Sequence, residues 1–323
     1  MDLSLIVPVY NEQENLPHLF RAIEKAVLPL KLKWEVIFVD DGSRDDSYAI
    51  LRKQARKDPR HVRVISFRRN FGQTAAIAAG IDHSQGGIIV LLDADLQNDP
   101  ADIPLLLAKL DEGYDLVSGW RRYRKDNALT RNFPSMIANW IISQVTGVHL
   151  HDYGCTLKAY RRGALEGFRL YGEMHRFIPV YASSVGARIT EVPVNHHARK
   201  YGKTKYGIER TVKVILDLFT VKFLVSYGSK PIYLFGGTGM LLMVGSAVMM
   251  AYLLFRRTFF QVSVLGSPLF QLGVMFLILG FQSILMGLIA ELLVRTYHES
   301  QKKPTYTVHS LINTKKKADV SRP

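Results

Sequence analysis

Two uncharged runs near the C-terminus constrain this chain more than any other feature. Ile232–Phe255 spans 24 residues and Leu269–Ala290 spans 22, and neither contains a charged side chain. As helices they would reach roughly 36 and 33 Å, against about 30 Å for the hydrocarbon core of a bilayer. A buried core hairpin is a poor account of runs this long with basic flanks, so both are read as transmembrane helices. The rest is a water-soluble head. With 48% hydrophobic and 22% charged residues, the chain is too apolar for disorder and can build a large core. A single cysteine, Cys155, excludes an internal disulfide framework and any multi-cysteine zinc site.

Met1–Val9 carries an acidic residue and runs straight into a strand-like segment, which is not the pattern of a signal peptide. Arg199–Lys230 holds eight Lys and Arg and Val294–Pro323 holds seven, whereas only Arg256 and Arg257 lie between the spans. The positive-inside rule then places the head and both termini in the cytoplasm. The expected organisation is a head over 1–207 and an amphipathic juxtamembrane helix over 208–230. Spans follow over 231–256 and 269–293, separated by a short non-cytoplasmic loop over 257–268, with a basic tail over 294–323. The net charge of +14 gathers beside the spans, where lipid headgroups account for it, so no nucleic-acid partner is expected.

Gly273, Gly280 and Gly287 recur every seven residues along one face of the second span. Small residues there fit close contact with the first span or the seam of a homo-oligomer. Two stretches before the spans are amphipathic. Ile208, Val212, Ile215, Phe219 and Phe223 share a face suited to the lipid interface. Phe133, Met136, Ile137, Trp140 and Ile141 share another, which fits the interface or the core equally well.

Within the head, strand-length apolar runs (Leu3–Val9, Trp34–Asp40, Val62–Ser66, Ile88–Leu92, Asp115–Gly119) alternate with helix-like stretches. The latter are Gln13–Leu28, Asp45–Arg56, Gln73–His83 and Ala101–Glu112. Near-continuous apolar strands between helices predict an α/β fold whose mainly parallel sheet is covered on both faces. Ligands of such sheets bind beyond the carboxyl ends of the strands. That is where Asn11-Glu12, Asp40-Asp41-Gly42-Ser43 and Asp93-Ala94-Asp95 fall. Neither Gly-x-Gly-x-x-Gly nor Gly-x-x-x-x-Gly-Lys-Ser/Thr is present, so dinucleotide-binding and P-loop readings lose their fingerprints.

Asp93 and Asp95 supply hard oxygen ligands of the kind that hold Mg²⁺ or Mn²⁺ with substrate phosphates, and Gln97 can add a carbonyl oxygen. Bland readings stand beside these. Asp40-Asp41-Gly42-Ser43 read alone is a strand-to-helix turn with an N-cap, and Arg121, Arg122 and Arg124 read alone are an exposed basic run. His196-His197 has no zinc-like partner spacing and reads as solvated. Cys155 reads as a packed thiol.

Taken in order, Pro8-Val9-Tyr10-Asn11-Glu12, Val39-Asp40-Asp41-Gly42-Ser43 and Asp93-Ala94-Asp95-Leu96-Gln97 resemble the nucleotide-sugar site of family 2 glycosyltransferases. Arg199-Lys200-Tyr201-Gly202-Lys203-Thr204-Lys205-Tyr206 before the spans narrows this to the dolichol-phosphate mannose synthase branch. Within it the chain is similar to bacterial polyisoprenyl-phosphate glycosyltransferases of the bactoprenol-glucosyltransferase kind, over essentially its whole length. The resemblance implies a GT-A (Rossmann-like) catalytic domain with two C-terminal transmembrane helices, in the bacterial inner membrane. It implies that Pro8, Tyr10, Glu12 and Asp40 hold the base and ribose of the donor, and that Asp93, Asp95 and Gln97 bind the metal and diphosphate. Arg199 and Lys205 match a basic loop that closes on the phosphates. Arg121, Arg122, Arg131 and Ser135 fall where relatives bind the phosphate of a polyisoprenyl acceptor, and Asp152 falls near the reaction centre. The implied reaction is inverting transfer of one sugar to a polyisoprenyl phosphate. UDP-glucose is the favoured donor; GDP-mannose, aminoarabinose and galactose donors remain open.

Three rivals are weaker on the residues. A haloacid-dehalogenase-type phosphatase wants Thr or Val two residues after the second Asp, where this chain has Gln97. A processive polysaccharide synthase would carry Gln-x-x-Arg-Trp and more spans. A non-catalytic basic scaffold has no use for three acidic clusters on one rim.

Overall fold

The computed structural model describes residues 1–122, 133–165, 170, 174–198, 232–261, 263–264, 266–300 and 306–314. The amphipathic stretch expected over 208–230 lies outside them. The chain forms two compact units, residues 1–221 with 304–323, and residues 222–303.

The first unit is built on one eight-stranded sheet. Its strands are β1 (Leu3–Val9), β2 (Trp34–Asp40), β3 (Val62–Phe67), β4 (Ile88–Leu91), β5 (Leu116–Trp120), β6 (Lys158–Arg161), β7 (Ile189–Pro193) and β8 (Val308–Ile312). They lie in the order β7-β5-β6-β4-β1-β2-β3-β8. β1 pairs in parallel with β2 and β4, β2 with β3, and β5 with β7. β6 runs antiparallel to β4 and β5, and β8 antiparallel to β3. The sheet is therefore mixed and mainly parallel, as expected.

The strands alternate between two cores. Leu3, Leu5, Val7 and Val9 of β1, with Val36 and Phe38 of β2, pack under α1 (Leu16–Val27), α2 (Ser47–Lys57) and α4 (Ile103–Asp111). On α1, Leu16, Leu19, Ile23 and Val27 form the buried stripe of a 3.6-residue period. Ile37 and Val39 face α3 (Gln73–His83) on the other side, with Ala75, Ala76 and Ala79. α3 lies so close that a Cβ on Gly80 would overlap Ile6, which explains the alanine- and glycine-rich sequence of a helix buried almost all round.

Three strands were not expected. β6 (Lys-Ala-Tyr-Arg) is four residues long and half basic, and β7 mixes Thr and Glu with its apolar positions. β8 lies in the segment read as a basic tail. It returns to the head sheet, where Tyr306 stacks on Phe67 at 5.2 Å and donates to Asp82 at 3.0 Å. The Asn313 amide donates to the carbonyls of Ala55 and Val62.

α5 (Phe133–Thr146) carries the second amphipathic stretch. Trp140 is 64% and Met136 67% exposed, with Ile141 also exposed, while Ile142 and Ser143 are buried. Met136, Trp140 and Ile141 therefore face outward rather than into the core. α6 (Ile178–Ser184) precedes β7, with Ile178, Val180, Tyr181 and Ala182 buried.

The second unit is a hairpin of α7 (Ile232–Phe260) and α8 (Pro268–Ser300). Within these, Leu234–Phe260 and Pro268–Ala290 are long and apolar enough to cross a membrane. Both helices run past the expected ends, because arginine is a good helix former and a charge does not stop a helix. Gly273 and Gly280 face α7: a Cβ on Gly239 would sit 2.6 Å from the Gly280 carbonyl oxygen, and one on Gly273 would sit 2.8 Å from Met250. Ser246 donates to the Gly273 carbonyl at 2.7 Å and Ser283 to that of Phe235 at 2.8 Å. At these positions the small-residue face serves contact between the two spans of one chain.

Candidate active site

The carboxyl ends of β1, β2, β4 and β5 open onto one rim. Sharp turns there depend on unusual backbone: Asn11 has φ 52°, Gly42 φ 69° and Leu96 φ 59°, a region that costs most residues energy.

Pro8 is the next-to-last residue of β1, and Tyr10 and Glu12 follow it. Their loop is fastened to the one after β2. The Asn11 N–H donates to Ser43 Oγ at 3.0 Å, the Glu12 N–H to Ser47 Oγ at 2.9 Å, and the Arg44 N–H to Asn11 Oδ1 at 2.8 Å. Glu12 accepts from the Asn15 amide at 2.7 Å. Buried Asp40 accepts from the Ser43 N–H at 3.1 Å and from Ser66 Oγ at 3.0 Å. α2 begins only at Ser47, so neither Asp40 nor Asp41 is its N-cap. Asp41 instead accepts from the N–H groups of Phe71 at 2.6 Å and Gly72 at 2.9 Å. Burial pushes its carboxyl up to about 6 despite those two bonds.

After β4, Asp93 and Asp95 lie together. Burial first, then the Asp95 charge, push Asp93 up to about 6, opposed by a hydrogen bond with Thr156 and by Arg121 and Lys158. Asp93 Oδ1 accepts from Gln73 Nε2 at 2.8 Å, and Asp95 Oδ1 accepts from the Gln97 N–H at 3.1 Å. No group of three or more His, Cys, Asp or Glu side chains able to hold a metal occurs among the described residues. Two carboxylates in mutual repulsion nonetheless supply hard oxygen ligands of the kind that suit Mg²⁺ or Mn²⁺ when substrate phosphates and water complete the shell. The residues fit the group.

Arg121 and Arg122 follow β5. Asp152 receives Arg121 as a fork, Nε to Oδ2 at 2.6 Å and Nη2 to Oδ1 at 2.9 Å. Burial works against the Arg121 charge, but Asp152 outweighs it and holds the pKa above its ordinary value. The exposed-run reading therefore fails for Arg121. Arg122 lies over the Trp120 ring at 5.4 Å, and His151 stacks on the same ring at 4.3 Å. Ser135 is on the first turn of α5, and Arg131, Arg199 and Lys205 lie outside the described residues.

His196 is buried, which corrects the solvated reading. The His196-His197 pair straps the chain to the Asp95–Asp99 loop. His196 bridges to Asn98, the His197 N–H donates to the Gln97 carbonyl at 2.8 Å, and its ring meets Asp99 at 2.9 Å. Cys155 is a packed thiol, pushed by burial to about 11, and at neutral pH it is no nucleophile.

Lys158 of β6 was missed from the sequence. It is buried, its ammonium donates to the carbonyls of Tyr153 and Cys155, and burial lowers its pKa. A lysine in a short, half-basic segment carries no signal that it points inward. Gln73 was missed too, being one polar residue at the head of an alanine-rich helix.

A doubly covered, mainly parallel sheet with acidic motifs at the carboxyl ends of β2 and β4 fits the GT-A class of nucleotide-sugar glycosyltransferases. The model for glycosyl transferase family 2 matches residues 4–168. The chain is 40% identical to a dodecaprenyl-phosphate galacturonate synthase from Rhizobium johnstonii, over 98% of this chain and 95% of that protein. It is 38% identical to an undecaprenyl-phosphate 4-deoxy-4-formamido-L-arabinose transferase from Salmonella choleraesuis, over 96% and 93%. Two solved structures share the fold at 19% identity and TM-score 0.51. One is Staphylococcus aureus TarS residues 1–349 (69% of this chain, 67% of that chain), the other Mycobacterium tuberculosis glucosyl-3-phosphoglycerate synthase (69% and 80%). The chain belongs to glycosyl transferase family 2, in its polyisoprenyl-phosphate branch.

Proposed function

We propose that the protein transfers one sugar, with inversion, from a nucleotide-diphosphate donor to a polyisoprenyl phosphate at the cytoplasmic face of a bacterial inner membrane. The observation that carries this reading is the shared rim. Asp40, Asp93, Asp95 and the Arg121–Asp152 fork meet at the carboxyl ends of one sheet, in a chain that also has two helices of membrane-crossing length.

In the transfer, a phosphate oxygen of the acceptor forms a bond to the anomeric carbon while the bond from that carbon to the donor's diphosphate breaks. The nucleoside diphosphate leaves with the electron pair. The attacking oxygen is already ionised at neutral pH, so no general base is needed. Asp152 has both oxygens engaged by Arg121 and acts through that arginine, aiming its remaining N–H groups at the acceptor phosphate together with Arg122. Pro8, Tyr10, Glu12 and Asp40 serve the nucleotide. A divalent cation held by Asp93, Asp95 and Gln97 would neutralise charge growing on the leaving diphosphate. Positioning and charge neutralisation carry the acceleration.

UDP-glucose is the donor favoured by the sequence resemblance, and the relatives' names make galacturonate and 4-deoxy-4-formamido-L-arabinose donors its competitors. The test is label transfer from a panel of radiolabelled nucleotide sugars to undecaprenyl phosphate, using purified protein in detergent with Mg²⁺ or Mn²⁺. We expect lipid-extractable label from one donor, abolished by chelator and by Asp95→Asn. Undiminished turnover of Asp95→Asn would remove the cation role of Asp95, and absence of label from every donor would remove the proposed reaction.

A further inference from the structure

The turn between β3 and α3 touches both acidic motifs. At the end of β2, Asp41 grips the N–H groups of Phe71 and Gly72. Gly42 backs the same turn: a Cβ there would come within 2.6 Å of the Arg69 carbonyl carbon and 2.8 Å of the Asn70 nitrogen. Gly72 has φ 94°, a left-handed value that glycine takes at little cost. α3 starts at the next residue, Gln73. With its backbone held this way, Gln73 directs Nε2 to Asp93 Oδ1 at 2.8 Å. A continuous line of contacts thus runs from the Asp40-Asp41 motif through residues 71–73 to Asp93.

The consequence lies in how the Asp93 carboxylate is oriented. A carboxylate on a free rotor presents either oxygen at random. One that accepts from Gln73 at Oδ1 and is hydrogen-bonded with Thr156 as well has its plane set, and its remaining lone pairs are presented in a fixed direction. Hydrogen-bond donors to metal-ligating carboxylates commonly tune affinity in this way. Asn would be one methylene too short to make the bond from the same backbone position, whereas Gln reaches.

We propose that Gln73 is a positioning residue of the donor site, which orients the Asp93 carboxylate toward the cation of the donor complex through its amide and is itself held by the Asp41 grip on residues 71 and 72. This rests on the reading of Asp93 and Asp95 as cation ligands.

The test uses the full chain in detergent and reads binding rather than turnover. Free Mn²⁺ is followed by electron paramagnetic resonance during titration in the presence of UDP, and in parallel GDP, with the metal-free melting temperature as a control for folding. Gln73→Met keeps length and helix propensity but has no N–H. It is expected to raise half-saturating Mn²⁺ about tenfold with an unchanged metal-free melting temperature. Gln73→His restores a ring N–H and is expected to recover part of that affinity. A Gln73→Met curve that overlays the wild type overturns the proposal. So does a Gln73→His variant that keeps the wild-type metal-free melting temperature yet binds Mn²⁺ no better than Gln73→Met. If the wild type itself shows no Mn²⁺-dependent nucleotide binding, the cation reading of Asp93 and Asp95 fails and this inference falls with it.

Discussion

Asp41 shows how one side chain can support a site and cost stability at once. Its carboxylate fastens the turn before α3, yet burial raises its pKa to about 6 from 3.8. A group whose folded pKa is raised stabilises fully below its unfolded value and loses that contribution as pH climbs through the folded one. The window is therefore about pH 4 to 6, and a shift of two units corresponds to about 3 kcal/mol. Asp41→Asn removes the titration and leaves one backbone N–H facing an amide donor, a pH-independent cost of about 1–3 kcal/mol. The melting temperature of the wild type should exceed that of the variant most at pH 4, with the gap narrowing toward pH 7. A gap of constant size would show that Asp41 does not titrate in this range.

At the scale of elements, the sequence was legible wherever a strand is buried on both faces. β1, β2 and α3 begin and end where the apolar runs do, because a two-sided core demands uninterrupted apolar residues. β6 was hidden because its neighbours, not its own composition, bury it: Lys158 and Arg161 are satisfied by carbonyl oxygens. β8 was hidden because an edge strand needs only one apolar face, and Val-His-Ser-Leu-Ile is short. In the site, the acidic motifs were visible as motifs, while Gln73 became meaningful only through its contact with Asp93, and Lys158 only through its burial. α5 carries a prediction at this scale. Its exposed Met136, Trp140 and Ile141 are costly to leave in water and suit a lipid interface. Trp140→Glu should lower transfer to undecaprenyl phosphate in anionic vesicles about tenfold or more, from the loss of one buried indole of roughly 2 kcal/mol. Mn²⁺-dependent UDP binding should be unchanged. An equal fall in both would place Trp140 in the head's own packing.

β1 and β8 belong to one sheet, and that constrains any membrane crossing between them. The chain starts in β1, enters the helical hairpin, and returns to pair β8 with β3 of the same sheet. Strands of one sheet lie on one side of a bilayer, so the segment between β3 and β8 can cross it only an even number of times. Helices α7 and α8 are long and apolar enough to supply two crossings, the even count that the basic flanks also call for. Native Cys155 is buried with its thiol protonated at neutral pH, so it gives little background to maleimide reagents. Introduced cysteines can then report sidedness. Gln261→Cys, between the helices, should label in intact cells with a membrane-impermeant maleimide. Thr314→Cys, just past β8, should label only after the cells are opened. Labelling of Thr314→Cys from outside would break the even count, because β8 could not then lie in a sheet that contains β1 on the cytoplasmic side.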